Sequence, residues 1–311
     1  MRPGASADTT VPALSTQQLL YLRAAARAAS WTEAAAQLGV TQSALSQGIA
    51  ELERRLGITL FERLGRRRVL TSAGAVLLPH ANGVVAQAAD LGRIANRLRS
   101  GARGAYRLGL IDSAAVATCR PALAAVRELA GDALHVTVDT SVPLTRAVQR
   151  GELDLAVVVG DNIALRTGGR GGPSESTVTT TTIADEPMVV VAPGGVSADD
   201  LADPQRWGPW VMPPEGSTTR VLIEGALRSR GADPFTTLES ANPTVLQSMV
   251  TLGLGWAVLP DHMGGPRPVK RQRGEGLAIG EQLVRRTLVA VARAGAPADP
   301  RTELFLSSIQ S

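Results

Sequence analysis

The sequence predicts an α/β protein: an N-terminal winged helix-turn-helix with a long linker helix, then two α/β subdomains. Three observations carry that prediction. Two short helical segments meet at Gly39-Val40 and lead into an arginine-tipped hairpin signal between Gly65 and Thr71. Apolar residues then recur at alternating steps of four and three from Leu77 to Leu98. Past Ala105, strand-like and helix-like segments alternate, as they do in a parallel sheet clothed by helices. A length of 311 residues agrees with more than one core.

From Leu14 the apolar positions Leu19, Leu22, Ala26 and Ala29 line one helical face until Ser30 interrupts it. Ser30 stands three residues before Glu33, the spacing of a capping box, and Ala34, Ala35 and Leu38 form the apolar side of a second helix that Gly39 ends. Thr41 caps a third, in which Ala44, Leu45, Ile49, Leu52 and Leu56 recur until Gly57. In such a motif the second of the two joined helices enters a DNA major groove. Its early residues Gln42, Ser43, Ser46 and Gln47 are short and can both donate and accept hydrogen bonds, as reading base edges requires. Thr32 and Thr41, near the openings of the two helices, complete the candidate contact set on this motif. In the hairpin, Arg66, Arg67 and Arg68 would set guanidinium groups against phosphates beside the groove.

Over these residues the chain resembles the LysR-type transcriptional regulators. The resemblance is carried by S30-W31-T32-E33-A34-A35, L38, V40-T41-Q42-S43-A44-L45-S46, I49, L52-E53, L56-G57, L60-F61-E62-R63 and L70-T71-S72-A73-G74. It implies a regulator of transcription whose partner is double-stranded DNA. Gly48 departs from the family's pattern, which commonly has a polar or charged side chain there, and a glycine inside a helix costs about 1 kcal/mol relative to alanine.

Leu77, Ala81, Val84, Ala88, Leu91, Ala95 and Leu98 make a seam for a second helix, so pairing of two subunits is expected; Pro79 predicts a kink near Val76. The resemblance identifies this segment as the family's linker helix and implies a homo-oligomer, a dimer or a tetramer. Ser100-Gly101-Ala102-Arg103-Gly104 reads as a hinge. The expected organisation is therefore a disordered tail over 1–13, the winged helix-turn-helix over 14–72, linker helix and hinge over 73–104, and a ligand-sensing body over 105–311.

In the body, strands are predicted at Tyr106–Ile111, Leu134–Val138 and Leu153–Val159, with helices after Asp112-Ser113 and from about Pro143, implying an open parallel sheet. The order repeats with strands Met188–Ala192, Trp210–Met212 and Gly255–Pro260 and helices opened by Ser217 and Thr244. Strand Leu288–Val291 and a helix from Arg301 return to the first unit, giving subdomain I over about 105–180 and 268–311 and subdomain II over about 181–267. This pattern resembles the family's effector-binding domain, itself similar to periplasmic solute-binding proteins. Ligands in open sheets sit beyond the carboxyl ends of the strands, where helix N-termini present free N–H groups. Ser113, Ser141, Val159, Ser217, Thr218 and Thr244 stand at those ends and are the effector-binding candidates, suited to a carboxylate or another small anion.

Composition narrows the alternatives. The net charge of +4 divides into +7 over residues 1–104 and −3 over 105–311, a basic head suited to a polyanion on a mildly acidic body. One cysteine, Cys119, and the scattered His80, His135 and His262 offer neither an internal disulfide nor a metal-ligand spacing, so no metal and no cofactor is expected. The glycines of 167–172 lack the lysine of a phosphate loop and predict a plain loop, and the basic stretch 268–273 predicts a solvated crossover. No apolar run spans a membrane and the N-terminus lacks a signal-peptide core, so a cytoplasmic protein without a membrane partner is expected. An enzyme or a plain solute receptor could use the same cleft. The enzyme would need a nucleophile or base at the cleft rim, where neither Lys270 nor a histidine is expected, and the receptor leaves the basic head unused.

Overall fold

The computed structural model describes residues 13–65, 67–100, 104–160, 178–263 and 277–310. The expectations for the tail over 1–12, for Arg66, for the glycine loop at 167–172 and for the basic crossover at 268–273 lie outside the described residues. The chain forms two compact units, residues 1–95 and 96–311.

In the first unit, helices α1 (Thr16–Arg27), α2 (Trp31–Gln37) and α3 (Gln42–Leu56) precede a hairpin of β1 (Phe61–Leu64) and β2 (Arg67–Leu70) and the long helix α4 (Ser72–Ser100). Each of the first three helices is capped as its sequence requires. Ser15 and Gln18 form a reciprocal capping box on α1, and Thr41 Oγ1 accepts from the Ala44 amide at 3.1 Å on α3. Ser30 Oγ accepts from the Glu33 amide, while the Glu33 carboxylate accepts from the Ala29 amide at 2.9 Å, one residue beyond the box expected there. Gly39 and Gly57 take φ of 65° and 67°, the left-handed turns that end α2 and α3. Leu22, Ala34, Leu45, Ile49, Leu52 and Leu60 are sealed in one core that Ala81 and Val85 of α4 extend. Removing one such leucine or isoleucine from water contributes roughly 1.5–3 kcal/mol. Glu53 Oε1 accepts from the Leu60 and Phe61 amides at 2.7 and 3.1 Å, which fastens the hairpin to α3. Helix α4 runs as one element with Pro79 inside it.

The second unit holds a six-stranded sheet of order β4-β3-β5-β10-β6-β9, built from β3 (Tyr106–Leu110), β4 (Leu134–Val138), β5 (Leu155–Val159), β6 (Val178–Pro193), β9 (Ala257–Pro260) and β10 (Leu277–Arg293). A short parallel pair, β7 (Trp210–Met212) with β8 (Thr236–Glu239), joins it through the Trp210–Trp256 bridge. The helices are α5 (Arg120–Ala130), α6 (Ser141–Gln149), the short α7 (Ala198–Ala202), α8 (Thr218–Ser229), α9 (Pro243–Thr251) and α10 (Pro300–Gln310). The sheet is mixed, not parallel as expected. Within it only β3 pairs in parallel, with β4 and β5, whereas β10 lies antiparallel to both β5 and β6. The reason is that β6 and β10 are two long strands, of 16 and 17 residues, that carry the chain from the first half of the body to the second and back. The sequence segments Met188–Ala192 and Leu288–Val291 are only their most apolar stretches. Strand β8 and helix α7 carry no strong apolar period, so the sequence does not announce them.

Candidate nucleic-acid interface and ligand cavity

Helix α3 buries Leu45, Ile49 and Leu52 and leaves Gln42, Ser43 and Gln47 exposed, with Ser46 half-buried. The apolar period therefore presents the polar residues outward on a helix that its neighbours hold rigidly. Thr41 and Ser43 share a hydrogen bond of 2.9 Å between hydroxyls, so each keeps spare capacity toward an outside partner. Thr32 is exposed on α2. Behind the polar face, Arg54 and Arg55 are bonded to Glu51, and the hydrogen bond from Arg54 is the largest cause holding that carboxyl at about 2.

The hairpin has Arg63 opposite Arg68 and Leu64 opposite Arg67 in antiparallel register, with Gly65 at φ 64° in the turn. Residues directly opposite share a face, so Arg63 and Arg68 put like charges side by side, an arrangement that an anion relieves. Arg63 was not among the sequence candidates, since only strand register makes it a neighbour of Arg68. The Arg68 guanidinium stands 4.2 Å from the centroid of the Trp31 ring, so part of its contact is internal. Arg67 is exposed, and no ion pair to it is formed among the described residues.

In the second unit a cavity of about 270 Å³ opens beyond the carboxyl ends of β3 and β4. One wall is Asp112 and Ser113 after β3 together with Asp139, Thr140 and Ser141 after β4. The opposite wall is Pro213 and Pro214 after β7, Ser217 and Thr218 at the start of α8, and Asn242 at the start of α9. Met188 and Arg286, from the crossing strands, complete it. Ser113, Ser141, Ser217 and Thr218 of the effector candidates are thus brought together at this cavity.

Val159 and Thr244 are not, and those two expectations are corrected. Val159 is buried, and its amide donates to Ser141 Oγ at 3.1 Å, so it positions Ser141 instead of facing the cavity. Thr244 is exposed; Asn242 caps α9, its Oδ1 accepting from both Thr244 N at 2.9 Å and Val245 N at 3.2 Å. Pro243 has no N–H, so α9 keeps no free first-turn amide for a ligand. Helices α6 and α8 differ. The α6 cap residue Thr140 makes no side-chain cap bond, and the Ser217 hydroxyl takes only the Arg220 amide at 3.2 Å. Both therefore direct first-turn amides and the positive end of a helix toward the cavity.

Several contributors were invisible in the sequence because their partners are distant in it. Arg286, 4% exposed, donates to Glu186 Oε2 at 2.7 Å and to Ser113 Oγ at 2.7 Å, and Glu186 accepts from Thr118 Oγ1 at 2.7 Å. Asn242 Nδ2 donates to Asp112 Oδ2 at 3.2 Å, a bond across the cavity between the two walls. Burial raises the pKa of Asp112. Arg220 holds the Pro213 carbonyl at 2.9 Å and Thr236 Oγ1 at 2.9 Å, which fixes the start of α8 against β8. Cys119 is buried; burial, with the nearby Glu186 charge, pushes its thiol up to about 12.

Two family models match the chain: "Bacterial regulatory helix-turn-helix protein, lysR family" over residues 16–75 and "LysR substrate binding domain" over residues 99–311. Among relatives, a probable hydrogen peroxide-inducible genes activator of Mycobacterium avium is 35% identical over 249 residues, covering 76% of this chain and 75% of its own. The HTH-type transcriptional regulator CbbR of Rhodospirillum rubrum is 28% identical over 249 residues, 78% of each chain. Among solved structures, a full-length OxyR variant from Pseudomonas aeruginosa shares the fold at a TM-score of 0.61 and 21% identity, covering 96% of this chain and 95% of that one. A full-length CbnR complexed with its target DNA shares it at a TM-score of 0.58 and 18% identity, covering 96% and 99%.

Proposed function

The chain belongs to the LysR family of DNA-binding transcriptional regulators with an effector-binding domain, and from that premise we propose how its own residues divide the work. Gln42, Ser43, Ser46 and Gln47 read base edges in the major groove, with Thr32 and Thr41 beside them, and Arg66, Arg67 and Arg68, joined by Arg63, hold phosphates. The expected domain bounds stand as part of this reading: tail 1–13, DNA-binding domain 14–72, linker helix and hinge 73–104, effector-binding domain 105–311. The effector is a small metabolite with an anionic group, bound in the cavity against Ser113, Ser141, Ser217 and Thr218. Pairing through α4 brings two reading heads to two half-sites, and effector binding changes DNA affinity only insofar as it favours one arrangement of the subunits. No catalytic step is assigned: the relatives this chain resembles are named as transcriptional regulators and activators. Among the described residues no helix is long and apolar enough to cross a membrane, and a partner of duplex DNA fits a cytoplasmic site of action.

The single observation that supports this division most is α3, rigidly seated through Leu45, Ile49 and Leu52 while Gln42, Ser43 and Gln47 face outward. The test is a footprint on the DNA upstream of the protein's own coding region, followed by titration of that site with wild type and with Gln42→Ala and Ser43→Ala. Removing one base-reading side chain is expected to change discrimination between the site and its point variants by about 1–3 kcal/mol. Equal weakening on every sequence would remove these side chains from base reading.

A further inference from the structure

The charges around the cavity do not suit a simple anion. Its one guanidinium, Arg286, is engaged by Glu186 and Ser113, and the other ionised groups of its lining are the carboxylates Asp112 and Asp139. Asp112 is partly buried and receives a neutral amide donor, Asn242, with no cation against it among the described residues. A carboxylate withdrawn from water without a positive partner is costly, and an arriving cation relieves that cost.

The other features call for an acceptor. Thr218 is 6% exposed and lines the cavity, yet its hydroxyl has no hydrogen-bond partner among the described residues. Ser141, 7% exposed, accepts from Val159 N, and its own O–H has no acceptor among the described residues. These two hydroxyls open the first turns of α8 and α6, one on each wall, where the helix ends also offer free amides. Both hydroxyls belong to residues more than nine-tenths buried and line the cavity with an O–H still to give, so both are poised for a ligand oxygen. A pure cation would leave them unanswered and would face two positive helix ends. A pure anion would meet Asp112 and Asp139 with no free cation to offset them.

Resting on the reading of this cavity as the effector site, we propose that its ligand is a small zwitterion of the α-amino acid class, the carboxylate received by Ser141, Thr218 and the α6 and α8 N-termini and the ammonium by Asp112 and Asp139. A cavity of about 270 Å³ suits a ligand of that size. Asn242 then serves both ends of the arrangement, capping α9 and steadying Asp112.

The experiment uses the full chain and calorimetric titration with the twenty protein L-amino acids one at a time. It runs beside the matched carboxylates lacking the amino group (acetate, propionate, 4-methylpentanoate, 3-phenylpropionate) and the matched amines lacking the carboxylate. At least one amino acid is expected to bind, and its amine-free and carboxylate-free counterparts to bind far more weakly. Asp112→Asn, which keeps a partner for Asn242, should weaken the amino acid roughly tenfold to a hundredfold and leave the carboxylates unchanged. Thr218→Val should weaken both. A carboxylate that binds as tightly as its amino counterpart overturns the ammonium site while leaving the cavity as an effector site. Unchanged amino acid affinity in Asp112→Asn overturns it in the same way. If no probe binds to protein that still binds its operator, the amino acid class is also overturned. The underlying reading fails separately, if Thr218→Trp, which fills the cavity, leaves every effector response of DNA binding intact.

Discussion

The ring of Tyr21 lies so close to the backbone of Gly48 that a Cβ there would stand 2.3 Å from Cδ2 and 2.6 Å from Cε2. A glycine in mid-helix sacrifices about 1 kcal/mol of helix propensity, and here that sacrifice lets α1 approach α3. Tyr21 is buried, and its hydroxyl accepts from Gln17 Nε2 at 2.7 Å, so the ring is not free to swing aside. The departure of Gly48 from the family's pattern is thus a packing matter. Gly48→Ala is expected to lower stability by about 1–3 kcal/mol despite its better helix propensity. Thermal unfolding checks this, and Tyr21→Leu in the same chain should recover most of the difference.

The hairpin arginines separate by their internal contacts. Arg67→Ala and Arg68→Ala should each reduce DNA affinity alike on all sequences and lower the slope of log affinity against log salt by about 0.9 for each phosphate no longer neutralised. Arg68→Ala should in addition reduce stability by about 0.5–1 kcal/mol, because it alone removes the guanidinium from the Trp31 ring. Salt titrations by fluorescence anisotropy, paired with melting curves, distinguish the two. A wild-type slope in both variants would remove the hairpin from phosphate binding.

On α4, Val84 is 47% and Leu91 70% exposed, seven residues apart on the expected seam, while the neighbouring Val85 is spent on the core of its own unit. Val84→Glu with Leu91→Glu should leave the fold of the chain intact, shift its mass in light scattering toward the monomer, and weaken binding to a two-half-site operator. Retention of the wild-type mass would place the subunit contact elsewhere.

Breaking the pair of Glu186 and Arg286, whose side chains are 8% and 5% exposed, leaves a buried charge alone. Arg286→Met is expected to cost about 3–5 kcal/mol, whereas Arg286→Met with Glu186→Leu should cost far less. Denaturant unfolding of the two variants measures the difference, and equal destabilisation would show that the pair is not what the site depends on.

Cys119 is the chain's one cysteine and has no second thiol with which to close a disulfide inside the chain. With its thiol pushed up to about 12, the reactive thiolate is a negligible fraction near neutrality. Millimolar hydrogen peroxide at pH 7–8 should therefore leave operator affinity and the melting curve unchanged, as mobility shifts on treated protein would register.

What the sequence determined by itself is local. Ser30, Thr41 and Ser217 cap the helices they precede, and Gly39 and Gly57 turn the chain, because capping and left-handed backbone depend on residues a few positions apart. The polar outer face of α3 was legible for the same reason: a period of 3.6 turns a run of letters into a buried side and an exposed one. Ser113, Ser141, Ser217 and Thr218, hydroxyls placed at helix starts by the sequence, line one cavity, while Thr244, placed by the same reasoning, does not.

The tertiary structure alone decided the rest. Val159 and Ser141 are 18 residues apart, Asp112 and Asn242 are 130, and Ser113 and Arg286 are 173. No local period encodes such pairs: Val159 on β5 reaches Ser141 on α6, Asp112 after β3 reaches Asn242 at the start of α9, and Arg286 on the crossing strand β10 reaches Ser113. The same crossing turned an expected parallel sheet into a mixed one, gave Arg286 a carboxylate partner, and left Asp112 without a cation. Short-range physics reads out of letters directly, but the charge balance of a site depends on which distant segments meet there, and only the packed molecule settles that.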